Sequence, residues 1–458
     1  MTSRSPAHPL LTAPIGISLW RLAAPTTVVM IVQTIVSVAE TYIFGQLGTD
    51  ALAGFALVFP FMMMMTMMAA GGMGGGVAAA MARTLGAGRR DDASALVVHA
   101  LLLGTVLALL FTLLAFTALP ALYRLLGGEG RALERAREYS DVLFSGALAI
   151  WANFFLSALL RGGGDAATPG RYMVLWSLVQ IPLSYVLALG IGGWPGLGMA
   201  GPAISTLVTS LASALLQARA LWRGKLGFVP AVRVRLQGRL FRDILKVGLI
   251  ASFSAFTANL TAMLVTGLVG RFGIAALAGY GIGVRLEFML VPLAFGIGSG
   301  LTTLVGVAAG AGQWQRAVRA AWIGSLTAAG ALGICGWTLA FVPEGWARLF
   351  TSDPEVIAAT AGYITRVAPF YCLFGLGMTL SFASQGANRM APPFVAGIAR
   401  LVVATVGGWT AVEVLGWGLA GVYVAVAAGM ITFGSLIGGP LLIRPWGPRR
   451  PRLVPTAA

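Results

Sequence analysis

The sequence predicts an all-α integral membrane protein, with twelve transmembrane helices arranged as two six-helix bundles that repeat one another in parallel. Three observations predict it: a charge-poor apolar composition, twelve apolar stretches long enough to cross a bilayer, and motifs that recur at a nearly constant offset. Of 458 residues, 58% are hydrophobic and 10% charged, and mean hydropathy is +0.86. Soluble domains carry about 25% charged residues. No water-soluble core of this length hides so much apolar surface, so most of the chain faces lipid.

A span needs about 20 mostly apolar residues. In the first half they fall at 22–46, 52–80, 94–119, 138–160, 171–192 and 198–221. In the second they fall at 245–269, 276–306, 318–342, 360–383, 394–415 and 417–440. All are expected to be helices, because lipid offers the backbone no hydrogen-bond partner. An even number of spans puts both ends on one side. Lys and Arg are in excess on that side, which by the positive-inside rule makes both termini cytoplasmic.

The net charge of +16, from 31 Lys and Arg against 15 Asp and Glu, raises nucleic acid as a partner. The distribution argues against it. The bases sit in short segments between spans, most densely in RGKLGFVPAVRVRLQGRLFRDILK at 223–246, as cytoplasmic loops do. Cys335 and Cys372 lie in apolar stretches without a CxxC spacing, so neither a disulfide framework nor a metal site is expected. The opening MTSRSPAHPLLTAPIGISLW lacks the short apolar region and cleavage site of a signal peptide, so the first span is expected to be retained.

The halves repeat. LGTDALAGF (47–55) reads against FGIAALAGY (272–280), LGAGRRDDA (85–93) against AGAGQWQRA (309–317), and RGGGDAATP (161–169) against QGANRMAPP (385–393). YRL (123–125) reads against ARL (347–349), and every offset is 224 or 225. Six spans per half keep both copies in one orientation. Two parallel bundles around a midplane cavity is the arrangement of an alternating-access transporter. The division is 1–222 for the first lobe, 223–244 for a basic cytoplasmic linker, and 245–458 for the second lobe.

These stretches resemble the multidrug and toxic compound extrusion (MATE) family, bacterial type. The likeness runs through APTTVVMIVQTIVSVAETYIFGQLGTDALAG, ARTLGAG after the second span, RGGGDAATP after the fourth and IPLSY in the fifth. It continues in VGVAAGAG after the eighth span and SQGANRMAPP after the tenth, so it covers nearly the whole chain. The resemblance implies an inner-membrane antiporter that exports lipophilic, often cationic, organic compounds, without a cofactor, in exchange for protons or sodium ions. Protons are the expected coupling ion and a monomer the expected state. In the family's first-span acid position stands Glu40, and the fifth-span Asn-x-x-x-Asp pair reads Gln180 and Ser184. The second-half acids of other members are unmatched around Ala258 and Phe374.

Ionisable residues inside a span cost about 2.5–3.5 kcal/mol on insertion scales and mark pathways. Glu40, in VSVAETYIFG (36–45), is therefore the leading candidate for a cation-coupling carboxylate; the competing reading is a neutral acid that bonds helices together. Asn153, Gln180, Ser184 and Thr206 occupy positions like the family's polar network and are expected to share its hydrogen bonds. Arg285 and Glu287, two apart in GVRLEFML, do not face one another on a helix and form a possible second site, or else a pair that neutralises the local field. The run FMMMMTMMAAGGMGGG (61–76), with Met65 within it, offers an adaptable lining or plain packing. Tyr42, Trp151, Phe154, Trp176 and Tyr185 offer aromatic faces to a lipophilic cation, or an interfacial belt. His99 reads as a packed neutral histidine, and Glu413 and Arg366 as interfacial.

Two other classes compete. A lipid-linked precursor flippase of the same superfamily needs several arginines facing its cavity, and only Arg285 reads as deep in a span. A membrane-embedded enzyme needs a constellation such as HExxH or a Ser/His/Asp set, and none is present.

Overall fold

A computed structural model of the chain describes residues 8–231 and 233–448. Among them, eleven helices are long and apolar enough to cross a membrane, and a bent pair makes a twelfth. In the first half these are α1 (Ile15–Gln46), α2 (Thr49–Gly86), α3 (Arg90–Thr117), the bent α4 (Gly130–Ser145 and Ala147–Gly162), α5 (Ala167–Leu189) and α6 (Ala200–Trp222). In the second they are α7 (Gly238–Gly270), α8 (Ile274–Gly310), α9 (Trp314–Phe341), α10 (Pro354–Gly386), α11 (Ala391–Glu413) and α12 (Gly418–Ile443). The twelve expected spans are thus found, the fourth with a 51° bend at Gly146.

The repeat has a backbone cause. α2 and α8 each start from a glycine, Gly48 (φ 111°) and Gly273 (φ 98°), in a conformation that a Cβ makes costly. Further along, a Cβ on Gly76 of α2 would strike the Gly248 backbone of α7, and one on Gly300 of α8 would crowd Leu22 and Ala23 of α1. Small residues let the helices of the two halves touch backbone to backbone.

The change of offset has a physical origin too. Gly54 and Gly279 make equivalent contacts and are 225 apart, while Gly72 and Gly296 make equivalent contacts and are 224 apart. Between them, α2 carries a single π-helical turn at Met68–Gly72, whereas α8 runs as an uninterrupted α-helix. A π-bulge is one inserted residue, which is the one by which the halves differ.

The halves meet on the side that holds the termini. Interlobe approaches at glycines join 19–27 of α1, 71–86 of α2, 244–252 of α7 and 295–310 of α8. Arg83 clamps the same side. It donates to Asp243 at 2.8 Å and to the Gln385 and Gly386 carbonyls at 3.0 and 3.1 Å, at the end of α10. Those carbonyls are the negative end of that helix.

Between α6 and α7, the connector is pinned by His99. Its Nε2 accepts the Gln237 N–H at 2.8 Å, and its Nδ1 lies 2.8 Å from the Ala95 carbonyl. An accepting Nε2 leaves the proton on Nδ1, so His99 is the neutral, packed histidine that its setting suggested. Glu413 pairs with Arg271 at 2.5 Å across the ends of α11 and α7.

Candidate functional site

Three helices of the first lobe converge on Glu40. α1 carries the carboxylate to a position only 5% exposed. From α5, the Gln180 amide nitrogen donates to Glu40 Oε1 at 2.8 Å and to Thr206 Oγ1 at 2.9 Å. From α6, the Thr206 hydroxyl lies 3.3 Å from the same Oε1 and 3.0 Å from the Pro202 carbonyl. It has one proton and so serves one of these acceptors at a time. Gln180 is itself held: its Oε1 accepts from Thr209 at 3.4 Å and its carbonyl from Ser205 at 3.0 Å.

Among the described residues, only one oxygen of the carboxylate, Oε1, is hydrogen-bonded to the protein. Oε2 accepts no hydrogen bond from these residues. Among the described residues, no arginine or lysine forms a salt bridge with Glu40. Tyr139 of α4 stands close enough to interact electrostatically with Glu40, its ring packed edge-on against Phe44 and Phe55 at 5.2 and 5.8 Å. Its hydroxyl meets Met62 Sδ at 3.5 Å.

The other polar residues expected here stand apart. Asn153 accepts from Gln217 at 2.6 Å in a separate buried cluster with Ser213. Ser184 is fully buried, and among the described residues its hydroxyl has no hydrogen-bond partner. It lies one helical turn beyond Gln180 on α5, too far along the axis to share the Glu40 bonds. The aromatic set divides as well. Met65, Trp151 and Phe154 are buried in the first-lobe core, at 0, 0 and 6% exposure, and present no lining surface in this conformation. Tyr42 and Tyr185 are exposed and flank an apolar groove between α1 and α5, with Ala39, Ile181 and Pro182. The buried Trp176 indole N–H has no partner.

In the second lobe, Glu287 of α8 accepts a short hydrogen bond from the Tyr363 hydroxyl of α10. Arg285 points elsewhere, exposed and stacked 5.8 Å over the Phe350 ring. The partner of Glu287 in charge is Arg400 of α11, with which it interacts electrostatically. Arg400 corrects the expectation that only Arg285 lies deep in a span. It sits midway along α11, over the rings of Phe374 (4.9 Å) and Phe433 (5.6 Å), inside the bundle. Its position in the apolar run VAGIARLVVATV was the available signal. Tyr139 and Tyr363 were also legible: they stand 224 residues apart, at matching places in the repeat.

The chain is similar to known proteins over most of its length. The family model described as MatE matches residues 25–186 and 251–410, one stretch in each half. The chain is 28% identical to a probable multidrug resistance protein NorM of Thermotoga maritima, over 90% of this chain and 89% of that one. It is also 28% identical to an FAD transporter of Shewanella oneidensis, covering 86% and 88%. A solved structure of a MOP superfamily transporter from Pyrococcus furiosus superposes with a TM-score of 0.86 at 25% identity, over 96% of this chain and 98% of that one.

Proposed function

The chain belongs to the MatE family of multidrug efflux transporters, and from that premise we propose that it is a proton-coupled antiporter in which Glu40 carries the coupling proton. The observation that supports this reading is the meeting of Glu40, Gln180 and Thr206 from three helices around one carboxylate oxygen. The proposed setting is a bacterial inner membrane with both termini cytoplasmic, the protein acting as a monomer on small organic molecules.

The lobes are closed on the side of the termini, which in that orientation is the cytoplasmic side. A proton from outside loads Glu40, and the neutral acid no longer draws both donors to Oε1. α1 then repacks against α5 and α6, which favours release of the exported compound. Loss of the proton inside restores the anion and the starting arrangement. One pH unit supplies about 1.4 kcal/mol, and 100 mV adds about 2.3 kcal/mol per charge moved.

Sodium is the competing coupling ion. A hard cation takes oxygen ligands, whereas the group from α5 that meets Glu40 is an amide N–H donor. That choice of donor favours the proton. The charge of the cargo is a separate matter. A relative named for FAD, an anionic dinucleotide, stands beside those named for multidrug resistance.

Reconstituted liposomes test the reading. With a panel of cationic, neutral and anionic dyes, a pH gradient alone is expected to drive export and a sodium gradient alone is not. Export driven by sodium at equal pH on both sides would overturn the proton assignment.

A further inference from the structure

We propose that the second lobe binds the anionic group of an organic substrate, a carboxylate or phosphate, with Arg400 as the docking residue. This rests on the export reading and names a substrate class for it. Arg400 is half-buried inside the bundle, and its guanidinium is held against Phe374 and Phe433. Stacking uses the flat faces and leaves the N–H edge free to donate. Among the described residues, no protein acceptor takes a hydrogen bond or a direct ion pair from that edge.

The neighbouring carboxylate does not fill the gap. Glu287 accepts from Tyr363 but makes no hydrogen bond or direct ion pair with Arg400, which it reaches only through the field between them. Packed edge-on to Tyr363 at 5.2 Å is Tyr423, a fully buried tyrosine whose hydroxyl also has no partner. The N–H edge of Arg400 is therefore left without a protein acceptor among the described residues. A ligand that brings two oxygens supplies what is missing, since the guanidinium fork matches a carboxylate or phosphate through two parallel bonds. Phe374 and Phe433 beside it suit an apolar or aromatic body attached to that anion.

The test uses the full-length protein in nanodiscs of neutral phosphatidylcholine. Three dansyl probes of one shape are titrated by fluorescence: dansylaminohexanoate, its neutral amide, and its trimethylammonium analogue. The carboxylate is expected to bind about 10- to 100-fold more tightly than the amide, the range for a charged hydrogen bond gained. Arg400→Gln should erase that difference, and an unshifted thermal unfolding transition of the variant in detergent reports that it is folded. Arg400→Lys, with charge but no fork, should restore part of it.

Equal binding of carboxylate and amide, or indifference of the carboxylate to Arg400→Gln, would sink the proposal. So would loss of carboxylate binding when phosphatidylglycerol is added, since the occupant would then be a lipid headgroup. The export reading is separable from these results. If the carboxylate binds through Arg400 but no probe is exported by liposomes, export falls and the docking site stands. If the cationic and neutral probes are exported while Arg400 adds nothing, the docking site falls and export stands.

Discussion

In the first lobe the intramembrane carboxylate stands on α1 and is buried, and in the second it stands on α8 and is half-buried, although the two lobes repeat one another with a single-residue shift. At offset 225, Glu40 corresponds to the buried Val265, and Glu287 corresponds to Met62. What the lobes share is the tyrosine between these places. Tyr139 reaches Met62 and lies near Glu40, while its counterpart Tyr363 donates to Glu287. The remaining partners differ in kind. Gln180 and Trp176 of α5 correspond to Ala404 and Arg400 of α11. Glu40 is thus met by neutral donors alone, and Glu287 by a phenol and a cation. A repeat maintained by backbone contacts leaves side-chain chemistry free to diverge: glycines recur where helices touch, while Glu40, Glu287 and Arg400 inside the spans do not recur.

The largest expected effect breaks the comparison at its centre. Glu40→Gln keeps the shape of the side chain and removes its proton, so pH-driven export in liposomes should fall to background, with Glu40→Asp retaining part. Glu287→Gln should cost only a few-fold, because Arg400 and Tyr363 remain. Wild-type rates for Glu40→Gln would end the coupling assignment and move it to Glu287.

A second test builds the first-lobe site in the second. Val265→Glu buries a carboxyl beside apolar neighbours. A polar group without partners costs about 2–7 kcal/mol, so thermal unfolding in detergent should shift sharply downward. Adding Ala404→Gln and Val426→Thr supplies the donors, Val426 being the match of Thr206 by the motifs GMAG (198–201) and GLAG (418–421). Each hydrogen bond should return about 1 kcal/mol. A triple variant no more stable than Val265→Glu would show that the first-lobe arrangement depends on more than these three side chains.

These equivalences mark how much the sequence disclosed. The twelve spans were legible because lipid dictates length and composition, and the repeat because close helix contacts demand glycine at set places. Glu40 with Gln180 and Thr206 was legible as a set, since polar residues in spans are few. Asn153 and Ser184 were misjoined to it for a geometric reason: sharing a lobe does not make side chains meet, and their heights on α4 and α5 appear only in three dimensions. The burial of Trp151 and Phe154 was equally hidden, because every face of a membrane helix is apolar and periodicity cannot separate core from lipid. Arg400 was visible as a lone charge, but its aromatic supports come from α10 and α12, far away in sequence.

A third prediction concerns what joins the lobes. Arg83 links α2 to Asp243 and to the end of α10. Arg83→Ala removes hydrogen bonds to a charged group, each worth about 1.5–3 kcal/mol, so the population open on the terminal side should rise about tenfold or more. Distances between spin labels placed on the terminal-side ends of α2 and α8 would lengthen. An unchanged distance distribution would mean that the glycine contacts alone keep that side shut.

The smallest expected effect lies at the N-terminal strap, which touches both lobes. His8 Nδ1 accepts the Leu10 N–H at 3.3 Å, so Nε2 carries the proton and lies 3.3 Å from the Gly163 carbonyl of the first lobe. From the second lobe, Arg316 donates to the Leu10 carbonyl at 2.8 Å and also to that of Ala13. Burial pulls the His8 pKa below its ordinary value of 6.5, with the Gly163 bond acting in the opposite direction. The neutral ring is therefore the docked form. Above pH 6.5 the docked and released rings are both neutral, and docking is at full strength. As pH falls below that value, the released ring takes a proton first, so docking weakens. The bond is neutral and half-exposed, worth about 1 kcal/mol or less. A fluorophore attached at residue 7 should show the strap loosening as pH falls from 7.5 to 5.5, and His8→Gln should show no such dependence while export continues. A strap that tightens on acidification would reverse the sign and point to a charged His8 in the docked form.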